Sequence, residues 1–230
     1  NISQTVFQNP SSSKWRPGTV TREVTTIGGD ISRSRLEIST SSMKGMSENV
    51  FLNLKNTSFT ISADVDMSPL KDSKSGQGVI ISQAGRFGGW SLYLKDGRPT
   101  YTYNYLGMER FSVTSNQALP AGASKVRLEF DYDGGGAGQG GVATLYINDQ
   151  KVGSGRIEKA QPAVFSGDEG VDVGEDGETP VVNDYGIPYP YKFTGKLGKV
   201  TVTLKKANEA DKAAADSAKK EAGLKKALAD

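Results

Sequence analysis

The chain has 230 residues, 36% of them hydrophobic and 23% charged, with 28 Gly and a formal net charge of +2. That is enough for one β-sandwich or barrel and does not require two domains. It contains no His and no Cys, which excludes disulfides, Cys/His zinc sites, thiol nucleophiles, imidazole bases and every His-containing triad. A charge of +2 is too mild for the concentrated basic face of a nucleic-acid binder, and no run of about 18 apolar residues offers a membrane-spanning helix.

The chain starts at Asn1 and its first apolar residues are too scattered for the core of a signal peptide, so it reads as a processed or excised piece. Residues 1–19, with Pro10, Trp15 and Pro17, carry neither helical nor strand period and predict an extended lead-in or linker. From residue 20 to 204 apolar and polar residues alternate in short runs. Phe59, Ile61, Ala63 and Val65 share one face, as do Val126, Leu128 and Phe130, and Val200, Val202 and Leu204. Period two over five to eight residues, punctuated by Gly, Pro, Asn and Asp, predicts antiparallel strands with one solvated face, and hence an all-β sandwich or jelly roll. Residues 205–230 are rich in Ala and Lys and predict a helical tail with little to bury, apart from Leu224 and Leu228 at i,i+4.

Two hairpins have a readable register. Asp96-Gly97 is a type I′ signal that pairs Lys95 with Arg98, Leu92 with Tyr101 and Trp90 with Tyr103. These apolar residues read as the core face, in preference to a sugar-stacking platform, while Ser91, Lys95, Thr100, Thr102 and Asn104 read as a solvated face. The second hairpin turns at Asn148-Asp149 and sets Leu145 across from Val152.

Several motifs invite a chemical reading. Gly136-Ala-Gly138-Gln-Gly-Gly141 matches the dinucleotide fingerprint formally, but a strand follows it where a helix is needed, so it predicts a flexible connection. Asn1 and Asn56 each begin an N-glycosylation triplet, a pattern frequent by chance. The segment from Asp168 to Asp184 carries seven carboxylates and no Lys or Arg. Such a cluster is solvated, paired with Arg, or shared by a hard cation such as calcium. Solvated acidic loops are the commoner case; if calcium is held, Asp172, Glu175 and Asp176 are the expected ligands. Arg86, Tyr93 and Arg110, in or beside loops and polar faces, are the candidates for contacting an anionic ligand such as a polysaccharide sulfate.

Gly85-Arg-Phe-Gly-Gly-Trp-Ser-Leu-Tyr93, Tyr103-Asn-Tyr-Leu-Gly-Met-Glu-Arg110, Phe130-Asp-Tyr-Asp-Gly-Gly-Gly136, Gly155-Arg-Ile-Glu158, Asp172-Val-Gly-Glu-Asp-Gly-Glu-Thr-Pro180 and Phe193-Thr-Gly195 stand in this order in the chain. Together, from about Met46 onward, they resemble the C-terminal region of the long bacterial arylsulfatases, which is similar to concanavalin-like and laminin-G-like sandwiches. The resemblance implies a concanavalin A-like, jelly-roll fold, a secreted or periplasmic location and a sulfatase catalytic domain as partner. It supplies no catalysis: the Cys/Ser-x-Pro-x-Arg motif that yields formylglycine is absent, Ser68 directly preceding Pro69, and there is no His for the metal site. The expectation is therefore a non-catalytic accessory module that packs on a catalytic domain and holds sulfated or otherwise anionic polysaccharide. The alternative is a structural or self-assembling interaction protein without a glycan ligand, contacting another protein chain through its tail.

Overall fold

Alternating apolar residues bury their side chains only if a second layer covers them, and the computed structural model shows how two sheets do this. It describes residues 2–5, 19–27, 30–40, 42–48, 50–165, 167 and 169–205. Of the helical tail expected at 205–230, residues 206–230, with Leu224 and Leu228, lie outside the described residues, as do Asn1 and Trp15. In chain order the strands are β1 (Ile2–Thr5), β2 (Thr19–Ile27), β3 (Asp30–Ser39), β4 (Met43–Met46), β5 (Phe59–Asp66), β6 (Gly78–Gly85) and β7 (Gly88–Lys95). They continue with β8 (Arg98–Tyr105), β9 (Glu109–Thr114), β10 (Ala123–Tyr132), β11 (Gly141–Ile147), β12 (Gln150–Ile157), β13 (Val171–Val173) and β14 (Lys196–Leu204). The lead-in contributes β1, which pairs with β2 through Ile2–Arg22 and Thr5–Thr19. Among the described residues the one helical element is a single 3-10 turn at Ser73–Ser75, and no described helix is long and apolar enough to cross a membrane.

The larger sheet has the order β1-β2-β3-β14-β5-β10-β11-β12 and the smaller β4-β13-β6-β7-β8-β9. Strands within each sheet pair antiparallel, and the chain crosses repeatedly between the two. This is an antiparallel β-sandwich of the concanavalin-like, jelly-roll class. Phe59, Ile61, Val65, Val126, Leu128, Phe130, Val200 and Val202 line the inner face of the larger sheet, as their alternation predicts. Trp90, Leu92, Tyr101 and Tyr103 answer them from the smaller one, all buried. Trp90 joins the layers, its ring centroid 6.4 Å from Phe59 and 6.4 Å from Tyr101.

The first hairpin has the register read from its turn: Lys95 opposes Arg98, Leu92 opposes Tyr101 and Trp90 opposes Tyr103. The second is shifted by a bulge. Tyr146 pairs with Lys151 and Leu145 with Gly153, so Val152 and Gly153 stand together opposite Leu145. The bulge lets Val152 remain buried while the strand bends, and a bulge of this kind adds one residue that counting from the turn does not anticipate. The glycine run between β10 and β11 is tied down by side chains: the Tyr132 hydroxyl donates to Gly136 O at 2.6 Å, and Asn56 Oδ1 accepts the Gly138 N–H at 2.8 Å. The Asn56 amide nitrogen, where a glycan would attach, donates to Pro162 O at 2.7 Å.

One expectation is reversed. The outer face of the β7–β8 hairpin is not solvated: Ser91, Thr100, Thr102 and Asn104 are buried. The reason is the segment 174–193, which folds back as a strap over that face. Val181, Val182 and Tyr185 of the strap pack on Val79 and Tyr93 in a second, smaller core. The Val79 N–H donates to Tyr191 O and the Gly174 N–H to Ile80 O, both at 3.0 Å. Lys95 stays at the rim, 2.8 Å from Asp184. On the opposite edge β9 and β12 approach closely, and a Cβ added to Gly153 would stand 2.9 Å from Thr114 O. Gly153→Val should therefore overpack this seam and destabilise the fold by about 1–3 kcal/mol, measured as a lowered urea midpoint with unchanged slope.

Candidate functional site

The turns that end β6 and β8 meet at one end of the smaller sheet. The first exposes Arg86 and Phe87, the second Leu106 and Met108. Phe87 is 63% and Met108 71% exposed, and large apolar residues exposed on adjoining turns mark a candidate contact surface. Asn104, fully buried, joins the two turns. Its amide nitrogen donates to Arg86 O at 2.8 Å and Gly85 O at 3.2 Å, and its amide oxygen accepts the Gly107 N–H at 3.0 Å. Gly107 has φ +73°, and a Cβ there would meet Arg86 O at 2.9 Å, so glycine is needed both for the turn and for the contact. The same Asn104 amide reaches Val181 O of the strap at 3.4 Å. The exposed side chains thus stand on a backbone fixed from below.

Arg86 is exposed, and its guanidinium makes no hydrogen bond or ion pair among the described residues. Arg110 is committed: Nε donates to Val181 O at 3.2 Å, and a terminal nitrogen donates to Asn183 Oδ1 at 3.3 Å. Neither arginine pairs with a described carboxylate of the acidic segment. Tyr93 does not face a ligand. It is 5% exposed, its ring meets Tyr185 edge-on at 4.9 Å, and its hydroxyl bonds Thr102 Oγ1 at 3.2 Å. The cause is again the strap, which converts its polar face into a packed one. The rings of Trp90, Tyr101 and Tyr103 are core, so they offer no platform to a sugar beside Arg86. Phe87, Leu106 and Met108 were not singled out from the sequence. Their signal was a large apolar residue at a reversal of the chain, next to Gly, where burial is hardest.

The acidic segment divides. Asp172 sits on β13 and Asp176 at the start of the strap, and an oxygen of each lies within 4.8 Å of the other and of an oxygen of Glu169. Glu175 turns away, accepting from Ser42 Oγ at 2.6 Å with Lys44 Nζ 3.7 Å off. Asp176, fully buried, accepts from Ser82 Oγ at 3.1 Å, from the Gly177 and Val181 N–H groups at 3.0 and 3.2 Å, and from the Tyr185 hydroxyl. Burial pushes its carboxyl up to about 6 against the pull of these donors. Asp172, which accepts the Gly45 N–H at 2.6 Å, is pushed by burial up to about 7, with smaller contributions from the neighbouring carboxylates Asp176 and Glu169.

No family model matches this sequence, and no curated protein does. Solved structures of similar architecture include CBM40 of the Ruminococcus gnavus IT-sialidase bound to α2,3-sialyllactose. It is 13% identical, with a TM-score of 0.48, over 77% of this chain and 96% of that one. The native heptameric SAP-like pentraxin of Limulus polyphemus is 15% identical with a TM-score of 0.43, over 79% of this chain and 82% of the other. Domains LG4-5 of the mouse laminin α1 chain are 13% identical with a TM-score of 0.45, over 73% and 40%. None of these likenesses assigns a ligand or a residue role to this chain.

The raised carboxyls fix the sign of a pH dependence. A carboxyl whose pKa is higher folded than unfolded takes up protons on folding, so stability is greatest below the unfolded value and falls as pH rises toward the folded one. In chelator-treated protein the melting temperature should drop between pH 5 and pH 8, and Asp172→Asn should flatten that slope. A slope unchanged by the substitution would remove Asp172 as its source.

Proposed function

We propose that this sandwich is a non-catalytic binding module that holds sulfated or otherwise anionic polysaccharide at its joined turns. Arg86 and Phe87 supply the contacts, with Leu106 and Met108 beside them. The observation that carries the reading is an uncommitted, exposed guanidinium next to an exposed ring, on a turn already fixed by Asn104. A guanidinium presents paired donors that match a sulfate or carboxylate, and an aromatic face takes the apolar side of a sugar ring. A preset backbone reduces the ordering that binding must otherwise impose. Arg110 acts behind the site by holding the strap. The lack of His, Cys and a formylglycine motif removes His-containing triads, thiol nucleophiles and the sulfatase nucleophile, and Asp172 and Asp176 are buried. That the module packs on a sulfatase catalytic domain in a secreted or periplasmic protein is supported by the sequence resemblance.

A second reading is favoured by the same exposed apolar residues. Phe87, Leu106 and Met108 also suit contact with another protein chain, in a structural or self-assembling role.

Binding to a panel of sulfated and neutral polysaccharides separates the two. The expected result is salt-sensitive affinity for sulfated members, reduced at least ~10-fold by Arg86→Ala and by Phe87→Ala, which is about 1.4 kcal/mol, with melting temperatures unchanged. Failure of every polysaccharide, together with self-association that Met108→Glu abolishes, would establish the interaction reading instead. Arg110→Ala should lower stability by about 1 kcal/mol through the lost strap contacts. The purified chain should not hydrolyse a chromogenic aryl sulfate.

A further inference from the structure

In the acidic segment the oxygens that lack hydrogen-bond donors are more informative than the carboxylates themselves. Asp176 is satisfied, with two donors on each oxygen. Asp172 is 4% exposed; its Oδ1 takes the Gly45 N–H and its Oδ2 takes no donor. Glu169 takes the Thr179 N–H on Oε1 at 2.5 Å, while Oε2 is closed off from solvent and has no donor. The Thr179 hydroxyl, in the same loop, is likewise buried without a partner. Glu169 is folded inward over Gly177, where a Cβ would stand 2.5 Å from Oε1. Its carboxylate is therefore placed over the loop by the absence of a side chain at that position.

An unpartnered buried carboxylate oxygen such as Glu169 Oε2 is costly, and three carboxylates within reach of one another raise the cost further. Protein cations relieve it only in small part: none of Glu169, Asp172 and Asp176 forms an ion pair among the described residues, and Lys44 acts on Asp172 only as the smallest of its influences. Lys44, the nearest cation on β4, stands against Glu175, and Arg110 goes to Val181 and Asn183. An oxygen-only set with two free carboxylate oxygens and a hydroxyl suits a hard cation of the calcium class, whose coordination tolerates irregular geometry and is completed by carbonyls and water.

We propose that Glu169 and Asp172 bind a divalent cation of the calcium class, with Thr179 as a neutral oxygen and Asp176 contributing its charge from the adjoining network. Bound there, the cation ties β13 to the root of the strap. Asp172 already fastens β4 through Gly45, and Asp176 fastens Ser82 on β6 and Tyr185 in the strap. Its effect is to clamp the strap on the outer face of the smaller sheet. This differs from the sequence expectation by replacing Glu175 with Glu169.

The test is calorimetric titration of chelator-treated full chain with CaCl2, with MgCl2 in parallel, and melting curves with and without EDTA. One saturable calcium site that raises the melting temperature is expected. Glu169→Gln, at the half-buried ligand, should weaken calcium at least ~10-fold, and Asp172→Asn should abolish the response, because affinity follows the number of charged ligands. Calorimetric heats that do not saturate overturn the proposal. So does calcium binding that both substitutions leave unchanged. An Asp172→Asn protein that melts higher than wild type at every calcium concentration overturns it as well, because the cluster would then be repelling charges without a ligand.

Discussion

The central strands of the smaller sheet, β13, β6, β7 and β8, are buried on both faces, and most of the architecture around the candidate site follows from that. Its inner face is apolar and closes on the larger sheet through Trp90, Leu92, Tyr101 and Tyr103. Its outer face carries hydroxyls and an amide, which lose water when the strap descends on them. Burying such groups is tolerable only where each finds a partner. Most of them have one: Tyr93, Thr102 and Ser112 form a hydroxyl chain with links of 3.2 and 2.8 Å, Ser82 donates to Asp176, and Asn104 serves three segments at once, while the Ser91 hydroxyl is buried without a hydrogen bond among the described residues. The strap brings Val181, Val182 and Tyr185 as its apolar contribution, so the cover is a small core in its own right.

That arrangement also decides where a ligand meets the domain. A sheet face is one surface that a two-sheet sandwich can offer, but here the strap covers the outer face of the smaller sheet at β6, β7 and β8. The larger sheet's outer face carries charge, and several of its described charges are paired with one another. Arg127 stands between Glu129 and Asp149 and over the Tyr146 ring at 3.9 Å, Lys205 between Glu129 and Asp131, and Arg156 against Asp133. Exposed pairs of this kind add little stability, but they occupy the cations. The joined turns are different because Arg86 has no such partner among the described residues and the apolar residues beside it have nowhere to be buried.

The acidic loop and the turns are mechanically connected. Asp176 accepts the Val181 N–H, the Val181 carbonyl accepts from Arg110 and Asn104, and Asn104 holds the Arg86 turn. Whatever sets the root of the strap therefore bears on the backbone beneath Arg86 and Phe87 through a short run of hydrogen bonds.

Much of the fold was legible in the sequence because strand periodicity and turn chemistry are local. Alternation at Phe59–Val65 and Val126–Phe130 named the inner face of the larger sheet, Asp96-Gly97 fixed a register, and the missing His and Cys removed whole classes of chemistry. The bulge at Val152 was not legible, since an extra residue leaves the alternation before and after it intact. Ser91, Thr100, Thr102 and Asn104 read as a solvated face because their pattern is that of one; only the return of a segment distant in the chain buries them. Asp172 and Asp176 were recognisable as part of an acidic cluster, but Glu169 takes its place beside them only once Gly177 lets its carboxylate fold inward. Local pattern determined which residues form strands and which faces are apolar. What covers a polar face, and which carboxylates meet, depends on contacts between segments distant in the chain, and these form only when the whole sandwich closes.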